Sequence, residues 1–291
     1  MRCAHHPQRS SSTIMIAVCI TTYNHEPYIA KAIESVIAQQ CDEPLRIYIA
    51  DDASTDNTEL VCRSFAAKDQ RIVYIRREAN LGIVQNTISL YHQVIQDGCG
   101  YIAMLDGDDY WTDTHKTQLQ LDFLRSHPDC GFVHTASFVD CNGIITKEVP
   151  YSIPTGDISH TYGVHGAGQT NATVLFRTSL LREEELHAIA AQHFRVLDYP
   201  LYGLFAQRTL FAFIDTPTAA WREHNSVSNP QSLAAFAAYQ YHYFRCWKWL
   251  EKQHHRTFGY NIWYASGIYI YRMAYFLWRQ LHNRFARRKH S

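Results

Sequence analysis

Three observations predict an α/β protein built on a doubly wound, mostly parallel sheet flanked by helices. Short apolar runs alternate with amphipathic stretches through the first half of the chain. The connections between them are short, as successive β-α-β units require. Three of the apolar runs end abruptly in polar or acidic residues, and open α/β sheets bind ligands beyond the carboxyl ends of their strands. A length of 291 residues with 46% hydrophobic and 19% charged residues suits a globular protein with one large core or two modest ones.

The elements follow in order. Residues 14–20 are strand-like and run into Thr21-Thr22-Tyr23-Asn24. Over 28–39, Ile29, Ala32, Ile33, Val36 and Ile37 fall on one helical face. Residues 45–50 form a second strand ending in Asp51-Asp52, after which Ser54 or Thr55 can cap a helix running to about Ala67. A third strand (72–75), a third helix (82–96) and a fourth strand (101–105) complete the regular alternation. From about Pro150 it weakens. Residues 156–171, rich in Gly, His, Ser and Thr, read as a long loop leading into a strand-like 173–176. Helix-like stretches at 180–192 and 198–207 precede an extended 209–214 and then Trp221-Arg222-Glu223-His224. From Leu233 onward Tyr, Trp and Phe crowd between Ala and basic residues, which predicts a helical, aromatic-rich C-terminal extension. The expected organisation is a flexible tail (1–13), an α/β domain (14–230, with halves 14–110 and 111–230) and the extension (231–291).

A formal net charge of zero argues against a bulk nucleic-acid binder. The eight cysteines lack CxxC spacing and several lie in apolar runs, so reduced, buried thiols and a cytoplasmic location are expected. The polar, basic start followed by an apolar run mimics a signal peptide, but the run is short and no small-residue cleavage site follows it. Asn171-Ala172-Thr173 matches a glycosylation sequon, which matters only in a secreted protein.

The strongest local signal is Asp106-Gly107-Asp108-Asp109, three carboxylates in four residues at a strand end. Such acids repel one another unless a cation or a solvated surface relieves them. A hard divalent ion on oxygen ligands is the simplest relief, and a solvated acidic turn is the plain alternative. A calcium loop of the EF-hand type fails: its glycine would fall at Trp111 and its closing glutamate at Thr117.

Taken together, these segments resemble the family 2 glycosyltransferases of the GT-A fold. The resemblance covers roughly residues 16–228. It rests on Thr21-Thr22-Tyr23-Asn24, Ile49-Ala50-Asp51-Asp52-Ala53-Ser54-Thr55-Asp56, Asn80-Leu81-Gly82 with Asn86, Leu105-Asp106-Gly107-Asp108-Asp109, Leu197-Asp198-Tyr199-Pro200-Leu201-Tyr202 and Trp221-Arg222-Glu223-His224. It implies that Asp51 and Asp52 read the base of a nucleotide-sugar donor, a UDP-sugar favoured, in a pocket with Thr21, Tyr23 and Glu26. Asn80, Gly82 and Asn86 would shape the loop beneath the nucleotide. Asp106 would face the ribose, while Asp108, Asp109 and His224 would hold Mn2+ or Mg2+ against the diphosphate, with Arg222 also on the diphosphate. Gln169, Thr170 and Asn171 would touch the sugar or acceptor. Asp198 would be the general base of an inverting transfer to a hydroxyl of a glycan or lipid-linked acceptor. Capping of the helix it begins is the structural alternative for Asp198. A leucine precedes it where relatives commonly carry a glutamate.

Residues 258–278 reach the length of a membrane span but carry Arg272, Asn261, Gly267 and five tyrosines. With Arg284, Arg287, Arg288 and Lys289 behind them, they suit an interfacial helix at the inner face of the cytoplasmic membrane. The competing expectation is helices packed on the main domain or on a second subunit. Two other function classes stay in view: a nucleotide-sugar-binding partner subunit without transfer activity, and a nucleotidyltransferase. The latter is disfavoured because Thr21–Glu26 stands where a Gly-rich basic loop would follow the first strand.

Overall fold

A computed structural model describes residues 14–141, 143–149, 155–159, 170–223 and 232–254. The expected N-terminal tail, most of the 156–171 loop, and the chain beyond His254 lie outside the described residues.

The strands are β1 (Ile16–Thr22), β2 (Leu45–Asp51), β3 (Ile72–Arg76), β4 (Tyr101–Asp106), β5 (Tyr110–Trp111), β6 (Cys130–Cys141), β7 (Ile144–Val149), β8 (Val174–Arg177) and β9 (Leu210–Arg222). The helices are α1 (Ile29–Ile37), α2 (Thr58–Ala66), α3 (Ile83–Gln96), α4 (Lys116–Ser126), α5 (Glu183–Ala190), α6 (Asp198–Phe205) and α7 (Leu233–His254). One sheet runs in the order β3-β2-β1-β4-β8-β6-β9-β5, with β7 paired to β6. The β3-β2-β1-β4 half is wholly parallel. Beyond it β8 runs antiparallel to both β4 and β6, and β9 runs parallel to β6.

Why the parallel half forms is visible in β1, which is buried along its whole length. Ala17 and Cys19 face one core with Tyr48, Ala50, Ile102 and Met104; Ile16, Val18 and Ile20 face the other with Ile47, Ile49 and Leu105. Side chains alternate across a strand, so a run apolar at every position needs cover on both faces. Helices α1, α2 and α4 supply one cover, while α3, α5, α6 and α7 supply the other.

The predicted elements of the first half are all present, with ends displaced by at most about three residues. The expected 180–192 helix is shorter, at Glu183–Ala190, and the extended 209–214 continues as one strand to Arg222. Four elements were not read from the sequence: α4, β5, β6 and β7. In β6 the buried residues include His134, Thr135, Ser137 and Asp140, and polar residues facing inward hide a strand from any hydrophobic pattern.

The described part of the C-terminal extension packs on the α/β body. Tyr243 meets Tyr199 at 5.2 Å and Trp249 meets Phe194 at 5.9 Å between ring centroids. Among the described residues no helix is long and apolar enough to cross a membrane. All seven described cysteines are free.

Candidate active site

β1, β2 and β4 end side by side at one rim. In-register pairing sets Thr21 beside Asp106 and Thr22 beside Asp51. A cleft of about 950 Å³ opens there, with Thr21, Asp52, Asp106, Asp108, Asp109 and Asp198 on its walls. Tyr23, Asn80, Gly82, Asn86 and Asn171 line it too, and Tyr23 is 42% exposed.

The acidic turn is held from several directions. Gly107 donates its N–H to the Thr21 carbonyl at 2.8 Å. A Cβ at Gly107 would lie 2.9 Å from the Thr22 side chain and from His25 Nδ1, so no side chain fits between the flanking acids. Asp106 accepts from Thr21 Oγ1 at 3.1 Å and from Asn171 Nδ2 at 3.4 Å, while Tyr202 donates to Asn171 Oδ1 at 3.1 Å. The Asp108 carboxylate lies 3.8 Å from His25 Nε2. Asp109, only 2% exposed, accepts the backbone N–H of Arg222 at 2.8 Å.

Burial, then the neighbouring charge of Asp108, pushes the Asp106 carboxyl up to about 7, against the opposing hydrogen bonds from Thr21 and Asn171. The same two causes, with Asp106 added, raise Asp109 well above the usual carboxylate range. Acids that resist ionisation this strongly are what a divalent cation would relieve, and an all-oxygen donor set suits Mn2+ or Mg2+.

Opposite the turn, Asp198 begins α6 and accepts the Tyr199 N–H at 2.8 Å. Burial raises its pKa. Its charge is close enough to add to the upward shift of Asp106. Residues of α6 are buried throughout after Asp198, and α7 packs behind them, so the carboxylate stands on a rigid support.

Several expected roles change in three dimensions. Asp51 is 0% exposed and its two oxygens accept from the Ser54 N–H (2.9 Å) and the Tyr74 hydroxyl (2.6 Å); it ties β2 to its own turn and stays away from the cleft. Asp52 does reach the cleft, but it also anchors the facing loop, accepting the N–H groups of Leu81 (2.7 Å) and Gly82 (2.8 Å). Gly82 sits at φ +80°, a region favouring glycine, and its N–H also reaches Asn80 Oδ1 at 3.2 Å. Asn86, 1% exposed, donates to the Ala50 carbonyl at 2.9 Å and accepts from Arg77 at 2.8 Å, so it fastens α3 to β2.

Glu26 does not line the cleft. It accepts from the Asn57 side chain at 2.8 Å and the Asn57 N–H at 3.2 Å, ahead of α2. Thr170 is also off the cleft wall, with its carbonyl accepting from Thr173. Arg222 is turned to the back of the acidic turn: Nη1 donates to the Asp108 carbonyl at 2.6 Å, and the guanidinium stacks over Tyr28 (5.0 Å) and Tyr110 (4.7 Å). Gln169 and His224 lie outside the described residues.

The cleft also takes residues that the sequence reading missed, notably His25, Tyr28, Arg195 and Tyr243, and it includes Asn24 of the strand-one ending. Asn24 (φ 55°) accepts the Thr55 N–H at 2.7 Å and joins the β1 and β2 turns. Adjacency to the Thr21–Asn24 segment could have flagged His25, and Arg195 stands three residues before Asp198. Tyr243 carries no local signal, since only the packing of α7 brings it to the cleft.

A parallel β-α-β half with a polar cleft at its strand ends, extended by a mixed half, is the architecture of the GT-A fold. Two solved structures share it: Staphylococcus aureus TarS residues 1–349 in complex with UDP-GlcNAc (TM-score 0.53, 18% identity, 73% of this chain and 60% of that one) and the mannosyltransferase PcManGT of Pyrobaculum calidifontis with GDP-Man and Mn2+ (TM-score 0.52, 12% identity, 90% and 80%). The chain belongs to glycosyl transferase family 2, whose model matches residues 17–184. It is 26% identical over 231 residues to the dTDP-rhamnosyl transferase RfbG of Shigella flexneri, across 76% of this chain and 77% of that protein. It is 35% identical over 116 residues to an uncharacterized protein of Mycobacterium tuberculosis, a match spanning 39% of this chain and 32% of that relative.

Proposed function

We propose that this protein is a metal-dependent, inverting glycosyltransferase that moves one sugar from a nucleotide-diphosphate donor to a hydroxyl acceptor. One observation carries the reading: a partly buried carboxylate with a raised pKa, Asp198, shares a cleft with an acidic turn at the carboxyl ends of the parallel strands. Family membership supports it, as do the nucleotide sugars named for the two structural neighbours.

Thr21, Tyr23, Asp52 and the Asn80–Gly82 loop would hold the nucleotide base, with a uracil-type base favoured. Each Asp52 oxygen keeps a lone pair beyond the backbone N–H it already accepts. Asp106 would meet the ribose. Asp108, with Asp109 Oδ2 behind it, would hold Mn2+ or Mg2+, and His224 would complete that shell. The ion supplies Lewis-acid charge neutralisation for the departing nucleoside diphosphate. Asn171 would steer the sugar from its position between Tyr202 and Asp106. Asp198 would take the proton of the attacking hydroxyl, a task for which a pKa raised toward neutrality is suited.

A glycan or lipid-linked acceptor fits the aromatic, basic C-terminal extension, which would bring the protein to the inner face of the cytoplasmic membrane. A second copy of the chain is a further partner that this extension could engage.

A screen of nucleotide sugars for thermal protection should single out one donor, and release of nucleoside diphosphate from it should need Mn2+ or Mg2+. Asp108→Ala combined with Asp109→Ala should abolish that release. An unchanged rate and metal requirement in the double variant would overturn the reading. Donor binding with no release under any condition would point instead to a catalytically inactive partner subunit.

A further inference from the structure

Helices α3 and α5 pack side by side behind the cleft, and a second cluster of ligating groups lies on their seam. His92 comes from α3; Glu183 and His187, one helical turn apart, come from α5. One ligand atom from each of the three lies within 4.8 Å of the other two. The His92 and His187 rings are 5.6 Å apart between centroids, crossed at 69°. His92 Nε2 is buried with no hydrogen-bond partner among the described residues, although such groups are almost always satisfied in folded proteins. Glu183 and His187 are exposed, which leaves a path from solvent.

We propose that His92, Glu183 and His187 form a binding site for one zinc ion, separate from the acidic turn. Two imidazoles and one carboxylate are a recurrent three-residue zinc set, with the fourth position left to water. The i, i+4 spacing of Glu183 and His187 presents both to the same side of α5, toward α3. Donor chemistry separates this site from the one in the cleft. Two imidazoles among three ligands favour zinc over the other abundant divalent ions, whereas the cleft's set, dominated by the Asp108 and Asp109 carboxylates, suits harder Mn2+ or Mg2+.

The position gives the ion a mechanical role. α3 lends Asn86 and Tyr91 to the cleft, and the chain leaving α5 supplies Arg195 and Asp198. An ion bridging the two helices therefore staples together the two walls between which the donor would lie. A ligand that binds only the folded state stabilises it in proportion to its occupancy.

The test uses full-length protein stripped with a chelator and dialysed against zinc alone in excess Mg2+. The expected result is one zinc per chain, a rise in Tm on zinc addition, and a Co2+ visible spectrum typical of nitrogen ligation. His92→Ala or His187→Ala should weaken zinc binding at least about tenfold, since even partners outside a metal's first shell are worth that much. The double His variant should lose both the bound ion and the Tm response while keeping its circular dichroism. Asp108→Ala with Asp109→Ala should keep the zinc. Retention of zinc at unchanged affinity by the double His variant, or no binding by the wild type at micromolar zinc, would overturn the proposal.

Discussion

The carboxylate of Asp109 accepts the backbone N–H of Arg222 at 2.8 Å, joining positions 113 residues apart in the chain. The Arg222 guanidinium then donates to the Asp108 carbonyl at 2.6 Å, so the last residue of β9 grips the acidic turn twice. The turn that carries the candidate metal ligands is thereby shaped by β9 as well as by β4.

Arg222→Ala removes a side-chain hydrogen bond to the turn, two stacking contacts and the guanidinium that lies 3.7 Å from Asp140. The expected loss is about 2–4 kcal/mol of stability. A larger metal concentration for half-maximal activity should accompany it. Urea titration and a manganese activation curve read the two effects. An unaltered metal requirement would show that the turn keeps its shape without this residue.

Gly107→Ala forces a methyl group to within 2.9 Å of Thr22 and His25. Relief means moving the turn or the end of β1, at a cost of about 1–3 kcal/mol. Transfer should fall far more than stability does, because the displaced atoms are those around Asp106 and Asp108. Comparing kcat/KM with the urea midpoint for the same variant checks this.

As the proposed base, Asp198 would act only when ionised, and burial raises its pKa. Activity should therefore rise with pH through a limb above the usual carboxylate range and fall away on the acid side. Asp198→Asn should cut kcat by about 10²–10⁴-fold, the usual span for a general base, with donor affinity little changed. A variant that keeps its rate and its acid limb would remove Asp198 from the chemistry.

His134 is 1% exposed on β6, and neither ring nitrogen has a hydrogen-bond partner among the described residues. Burial lowers its pKa from 6.5 to about 4. The ring stays neutral in the folded protein, while the unfolded chain takes up a proton below 6.5. Stability is thus full above that pH and is lost as the pH falls toward 4, by about 3 kcal/mol in all. His134→Phe, packing against Phe213 in place of the imidazole, should flatten this acid slope in chemical denaturation. A slope equal to that of the wild type would place the titration elsewhere.

Legibility varied along the chain for physical reasons. β1, β2 and β4 could be read because runs apolar at nearly every position have few fates other than a strand covered on both faces. β6 could not, because its inward-facing His134, Thr135, Ser137 and Asp140 satisfy or tolerate burial only through partners brought by other strands, as Thr135 does with Thr218 at 2.6 Å. Among the candidate site residues, Asp106 lies where the strand-end argument puts it, while Asp198, at the start of a helix, was reached only through the family resemblance. Asp51 does not, although nothing in its sequence context separates it from Asp52.

The succession of the first four strands along the chain, the rim where polar strand ends meet and the acidic character of that rim follow from the sequence alone. They depend on local periodicity and on the rule that ligands sit beyond the carboxyl ends of parallel strands. The division of labour among the acids was decided by tertiary structure. Asp51 was taken by Tyr74, Asp52 was half taken by the Leu81–Gly82 backbone, and Asp109 was tied to Arg222. A carboxylate's role depends on which donors reach it within about 3 Å, and those donors come from segments tens of residues away that only the folded chain brings near.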